Sequence, residues 1–436
     1  MNGGHLPYPT IPDMMIKNEK NTKKLWRLLK QIPPRQLIIQ YSDVCNASCL
    51  QCEMRIGNKF KRSKIKFDDA KRIIDHAAKK GFQLLSFTGG EPFIYEKEII
   101  ELIRHARKAG INYVRTGTNG FMFANFNKPD WENRIHHLAA KLSEAGLYTF
   151  WISIDSCEPR VHENMRGLPG VIHGIEKALP IFENYGIYPA ANMGINRNLG
   201  GAPIKTTATD GKSIDNEKLY AEFRKGFSKF YHFVTNLGFT LVNTCYPMSS
   251  SGNMLKKEDS AYGASSSDDI VRFTEQEKSI LFQALFDSIK ENRSKIRIFT
   301  PLSSVYSLTM YYKSGNRCHY PCRGGIDYFF VKADGADTFP CGFRGRENLG
   351  KFWQMDFVNL ERKAYCLKCD WECFRDAAVL SGPVVDIKEN PTRFLKRLLK
   401  DNKLMRLWLD DIRYGSACSF FSGKLSPRYD KMSVFN

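Results

Sequence analysis

Three thiols stand within eight residues in "YSDVCNASCLQC" (41–52), spaced C-x3-C-x2-C as Cys45, Cys49 and Cys52. Disulfides pair cysteines in twos and structural zinc takes four ligands, so a local trio leaves one coordination position to be filled from elsewhere. Thiolates also hold the irons of 4Fe–4S clusters. Three cysteines would then bind three irons and leave the fourth open to a small molecule. A zinc knuckle completed by a remote residue is the competing reading.

A second group follows far downstream. "CRGGIDYFFVKADGADTFPC" reads as a hairpin with an Asp-Gly turn that brings Cys322 and Cys341 together, and "CLKCDWEC" adds Cys366, Cys369 and Cys373. This is a multi-thiol site for a cluster or for zinc, with Cys318 close by. Cys157 and Cys245 fall at the ends of two predicted strands, where a substrate-facing thiol would donate or relay a hydrogen atom; ordinary packing is the default.

The elements that must position these groups are legible as βα units. Short β-rich runs at 37–41, 84–88, 112–118, 148–154, 187–193 and 239–245 alternate with helical patterns at 68–80, 97–109, 132–145, 172–185 and 216–236. Six parallel strands predict a partial (β/α)6 barrel of the TIM type, with functional groups in the loops at the strands' carboxyl ends. The first trio occupies the loop after the first strand. "FTGGEP" (87–92) ends the second, its glycines allowing close approach of a ligand and Glu91 offering a carboxylate to a cation.

C-x3-C-x2-C after strand one and GGEP after strand two together resemble the radical S-adenosylmethionine (radical SAM) superfamily over roughly residues 35–246. The resemblance implies a 4Fe–4S cluster on Cys45, Cys49 and Cys52 whose open iron binds exchangeable S-adenosylmethionine. It implies that Gly89, Gly90 and Glu91 meet the methionyl amino group, and that reduction yields a 5′-deoxyadenosyl radical that abstracts hydrogen from substrate. "GTNGF" (117–121) then places Asn119 near the cofactor, "ISIDS" (152–156) Ser153 and Asp155 at the ribose, "HENMRG" (162–167) Arg166 at the carboxylate, and Asn196 is a further ribose contact. One position departs from the pattern: Gln51 stands where the family has an aromatic residue near the adenine, a contact that then passes to Tyr41 or to the fifth strand.

The downstream hairpin, "LG" (349–350) and C-x2-C-x3-C resemble the SPASM and twitch extensions that carry auxiliary 4Fe–4S clusters. One auxiliary cluster is implied, with two as the alternative, on Cys322, Cys341, Cys366 and Cys369, with Cys318 and Cys373 as substitutes. The expected order is an N-terminal extension (1–34), the barrel core (35–248), a mobile loop and linking helix (249–294), a small cysteine-rich α+β auxiliary domain (295–380) and a helical tail (381–436).

Bulk properties frame these readings. The chain has 436 residues, 42% hydrophobic and 25% charged, enough for a large core. Twelve cysteines without a signal peptide or long apolar run predict a cytoplasmic protein with metal-bound thiols. The net charge of +19 favours an acidic partner. Expected partners are a peptide or small-molecule substrate and a flavodoxin or ferredoxin-type reductant. A zinc-stabilised nucleic-acid module is a weaker reading, and a non-catalytic iron–sulfur sensor or electron carrier is the main alternative to an enzyme. The basic stretch 391–412 reads as one amphipathic helix; packing of Phe394, Leu398, Met405 and Trp408 on the body is favoured over peripheral membrane contact.

Overall fold

The computed structural model describes residues 34–55, 61–204, 215–247, 260–262, 266–315, 320–357, 359–360, 366–367 and 371–435. Its frame is an open sheet entered by alternating units: β1 (Arg35–Ser42), α1 (Phe67–Lys79), β2 (Phe82–Gly89), α2 (Glu96–Lys108), β3 (Tyr113–Thr118), α3 (Trp131–Glu144), β4 (Thr149–Ile154), α4 (Pro159–Arg166), α5 (Val171–Asn184), β5 (Ala190–Gly194), α6 (Asn216–Asn236) and β6 (Leu241–Cys245). Neighbouring strands pair in parallel from β1 to β6 in chain order. The period-two pattern sorts the side chains. Leu37, Ile39 and Tyr41 on β1, Leu85 and Phe87 on β2, and Phe150, Ile152 and Ile154 on β4 turn outward and are buried against the helices. The inner face is mixed, with Gln40, Ser86 and Ser153 beside the apolar Ile38 and Trp151.

The sheet extends beyond the six predicted strands at both edges. After α7 (Glu275–Asn292), the short β7 (Arg297–Ile298) adds to β6. Beyond α8 (Leu302–Ser314), β8 (Tyr328–Val331) pairs in parallel with β1, and β9 (Thr338–Phe339) returns antiparallel to it. The auxiliary hairpin thus joins the core sheet, giving nine strands in the order β7-β6-β5-β4-β3-β2-β1-β8-β9. Backbone donors and acceptors on the β1 edge require a partner, and β8 supplies it.

α9 (Glu372–Glu389) packs on the inner face at this edge, where Phe374 and Ala378 meet Ile38, Tyr328 and Phe330. The loop expected to be mobile is held in its described parts, and so is the polar segment 198–216 in its own. Ser266 donates through Oγ to the Leu50 carbonyl at 3.2 Å, and Ser260 likewise to Gly342 at 2.9 Å. In the 198–216 insertion, the Leu199 carbonyl accepts from Cys157 N at 2.9 Å. The basic stretch is two helices, α10 (Pro391–Lys400) and α11 (Asn402–Ala417), because Asp401 caps the second by accepting from Leu404 N at 2.9 Å. Met405 is buried, and Trp408 donates to the Leu380 carbonyl at 2.8 Å. Among the described residues no helix is long and apolar enough to cross a membrane.

Candidate metal centre and cofactor site

The loop carrying the first trio is clamped from two sides. Gly90 N donates to the Ser42 carbonyl and Glu91 N to the Val44 carbonyl, both at 2.8 Å. A Cβ on Gly89 would overlap Ser42 O, and one on Gly90 would overlap Val44 O. The glycines are therefore required by the apposition of two backbones, a nearer reason than the approach of a ligand. On the other side Ser48 N donates to the Arg166 carbonyl at 2.9 Å, and Gly167 leaves room for the Ser48 side chain.

Cys45, Cys49 and Cys52 lie within electrostatic reach of one another and of Arg166. Burial pushes the Cys49 thiol up to about 11 and the Cys52 thiol up to about 12. As free acids they stay protonated; a metal would bind the thiolate forms. Among the described residues no three His, Cys, Asp or Glu side chains gather tightly enough for a single ion. A cluster asks less convergence, since each thiolate binds its own iron.

Glu91 is 1% exposed, and its carboxylate is consumed by the main chain. It accepts from Phe93 N at 3.0 Å and from Asn119 N at 2.6 Å, tying the end of β2 to the end of β3. Burial raises it to about 7 in spite of these bonds. Asn119 in turn donates to Asn46 at 2.8 Å and lies 3.8 Å from the Cys45 sulfur.

Asp155 is the hub of the opposite wall. Its Oδ2 accepts from Gln51 Nε2 and from Arg166 Nε, each at 2.6 Å. Its backbone N donates to His162 Nδ1 at 3.0 Å, and burial holds that imidazole neutral by pushing it down to about 3. Among the described residues Arg166 makes no hydrogen bond through its terminal nitrogens. Asn196 spends its amide donors on the Asp155 and Gly194 carbonyls, at 2.7 and 2.8 Å, as a residue that closes a loop. Gln51, the irregular position of the cysteine motif, thus links the loop to β4, while its Oε1 is enclosed without a partner. Tyr41 cannot take over an adenine contact: strand alternation puts it on the helix-covered face, where it is hydrogen-bonded to Glu98.

Ser153 lies on the inner face, in register with Asn192 and Asn243. Cys245 ends β6 on the same face and donates to Asn192 Oδ1 at 3.3 Å. Cys157 is not brought to it; it packs by Gly201, with Lys229 and Glu158 as its charged neighbours.

In the second group Cys322, Cys341 and Cys366 line one small cavity with Arg344, Trp371 and Phe374. Cys322 N donates to the Cys366 carbonyl at 2.8 Å, which fixes two of the three. Cys318 and Cys369 lie outside the described residues. Cys373 does not line that cavity: in the first turn of α9 it packs against the same apolar cluster and has Glu372, Cys245 and Arg115 as charged neighbours. Arg375, one turn away from Glu372 and 1% exposed, has Nε and Nη2 without partners beside Cys322. Such an uncompensated cation fits a cavity built for an anionic cluster. Cys418 is buried with Tyr414 and Met432, apart from both groups.

Sequence reasoning missed Arg115, Tyr262 and Arg375. Tyr262 meets Thr88 Oγ1 at 3.1 Å and donates to the Gly89 carbonyl at 3.4 Å, linking the GGEP turn to the auxiliary hairpin through Gly342. Only Arg115 had a signal: strand alternation places it on the inner face.

Residues 39–192 match the model of the Radical SAM superfamily. An AdoMet-dependent heme synthase of Oleidesulfovibrio alaskensis is 25% identical over 225 residues, covering 47% of this chain and 54% of that protein. A GTP 3',8-cyclase of Vibrio parahaemolyticus is 31% identical over 153 residues, 33% of this chain and 42% of the relative. The chain thus spans about half or less of the length of these curated relatives. Among solved structures, anSMEcpe with bound AdoMet and Kp18Cys peptide superposes with a TM-score of 0.51 at 16% identity, over 87% of this chain and 100% of that one, which shows a shared fold.

Proposed function

We propose that this chain, whose residues 39–192 match the Radical SAM superfamily model, is an enzyme of that superfamily that binds S-adenosylmethionine at a 4Fe–4S cluster and abstracts hydrogen from a peptide or small organic substrate. The observation that carries the reading is the clamped loop: Cys45, Cys49 and Cys52 are pinned by backbone bonds to the GGEP turn on one side and to Arg166 on the other. These three thiolates would hold the cluster, which would supply one-electron reducing power for the cofactor's sulfonium.

The remaining work is binding and orientation. Arg166, anchored through Nε on Asp155, offers two uncommitted nitrogens beside Cys49 for the cofactor's carboxylate. The Gly89-Gly90-Glu91 turn is assigned to its ammonium, with Glu91 acting by fixing the turn. Asn119 orders the loop through Asn46, Ser153 offers a hydroxyl at the ribose, and Asp155 and Asn196 hold that wall in place. Cys245, with Cys373 beside it, is the substrate-facing thiol we favour over Cys157.

Cys322, Cys341 and Cys366, completed by Cys369, are assigned to one auxiliary 4Fe–4S cluster of SPASM or twitch type, with Arg375 as counter-charge. The residue range 295–380 is read as its domain, and a flavodoxin or ferredoxin-type protein as the reductant. A reducing cytoplasmic setting suits this: none of the described cysteines is in a disulfide.

The test is anaerobic reconstitution with iron and sulfide, reduction, addition of S-adenosylmethionine and measurement of 5′-deoxyadenosine. Product is expected from wild type and not from Cys49→Ala. An iron–sulfur protein without cofactor cleavage under several reductants would instead be a sensor or carrier. Iron and sulfide remaining in a Cys45/Cys49/Cys52 triple-alanine variant counts the auxiliary clusters, with one expected.

A further inference from the structure

The middle of β3 holds an arginine that neither the cluster sites nor the cofactor site uses. Val114 is buried in the helix-side core and Thr116 donates to the Phe87 carbonyl, so Arg115 between them turns to the inner face. It is 8% exposed. Its Nε donates to Ser86 Oγ at 3.2 Å, and its guanidinium lies 5.2 Å from the centre of the Trp151 ring. The Cys373 thiol and Tyr148 are its further titratable neighbours, but among the described residues the terminal nitrogens make no hydrogen bond and no carboxylate pairs with it. They are not among the fully enclosed unpartnered atoms, so they keep accessible surface on the inner face.

The protein treats a structural buried arginine differently. Arg297, 0% exposed, donates to the Thr240, Ser422 and Leu425 carbonyls and to Thr240 Oγ1. Arg166 has Asp155. A guanidinium kept out of water without an anion is costly, and its planar fork matches an oxyanion through two parallel N–H bonds. We propose that Arg115, backed by Trp151 and Ser86, is a subsite for an oxyanionic group of the substrate, a carboxylate or a phosphate.

Register sets the distance. Ser86 pairs with Arg115, and Gly89 at the GGEP turn lies three residues further along β2. At about 3.3 Å per residue the subsite sits roughly 10 Å below the turn. Trp151 and Ser153 on β4, Asn192 on β5 and Cys245 on β6 share that inner face. The substrate therefore reaches the radical site with its anionic end deep in the sheet and its reacting carbon roughly 10 Å away. Calling the ligand a substrate rests on the proposed function; the anion subsite itself does not.

The test titrates the reconstituted full-length protein with propionate and, separately, with inorganic phosphate at constant ionic strength. It reads the melting temperature and the fluorescence that Trp151→Phe removes. Wild type is expected to show saturable changes in both readouts, and the anion giving the tighter curve names the group. Arg115→Gln is expected to weaken the response at least tenfold, with a melting temperature in anion-free buffer equal to or above wild type, since an unpaired charge is removed. Arg115→Lys keeps charge without the fork and should fall between. No saturable response in wild type, identical curves in Arg115→Gln, or a Gln variant that unfolds or melts well below wild type while Lys melts normally would overturn the subsite, the last by showing a structural role. Failure of wild type to form 5′-deoxyadenosine would sink the radical reading and leave these titrations standing, because they require no turnover.

Discussion

At Gly90 a methyl group is enough to disturb the centre. Its Cβ would enter the Val44 carbonyl, and neither backbone can withdraw without releasing the hydrogen bonds that clamp the cysteine loop. Gly90→Ala is expected to cost about 1–3 kcal/mol and to lower iron bound per chain, measured by urea unfolding and iron assay. Glu91→Gln tests a different bond. The carboxylate accepts from two main-chain N–H groups, whereas an amide has one oxygen, so one buried donor loses its acceptor. A loss of about 1–3 kcal/mol is expected, with 5′-deoxyadenosine formation reduced by misplacement of the turn. Unchanged stability would mean that the turn is held by its backbone alone.

Elements in this fold are joined by side chains that cap one another. Asp411 on α11 accepts from Leu302 N at 2.9 Å and Ser303 N at 2.8 Å, capping the start of α8 from outside the helix. Burial nonetheless raises its carboxyl to about 6. A raised acid binds a proton in the folded state that the unfolded state has released, so stability falls as pH rises from about 4 to about 6. The change is on the order of 1 to 3 kcal/mol. Melting temperatures of wild type and Asp411→Asn across that window should show wild type losing ground to the variant as pH rises. Parallel curves would place the titration elsewhere.

The whole molecule is organised around one sheet. β8 from the cysteine-rich region completes the β1 edge, α9 fills the inner face beside it, and the C-terminal segment closes the far end, where Gly423 exchanges backbone bonds with Tyr148 and Tyr188. Core and auxiliary region therefore share hydrogen bonds and apolar surface. A chain ending at residue 294 leaves the β1 edge and Ile38 bare, and is expected to aggregate on light scattering. A monomeric truncation that unfolds cooperatively would show the two parts to be independent.

By itself the sequence determined what is local or periodic. Apart from the short α4, which was not expected, strand and helix positions from β1 to β6 lie within a few residues of expectation, since the period of two, the period of 3.6 and the turn residues are written in neighbouring positions. Both cysteine groups and the GGEP turn were legible for the same reason. Tertiary structure alone decided what depends on residues meeting across the chain. It seated β8 on β1, left Cys373 off the cavity that Cys322, Cys341 and Cys366 line, bound Gln51 to Asp155, turned Tyr41 away from the site and left Arg115 without a carboxylate partner. Spacing along a chain tells which face a side chain takes, but only packing determines what waits there.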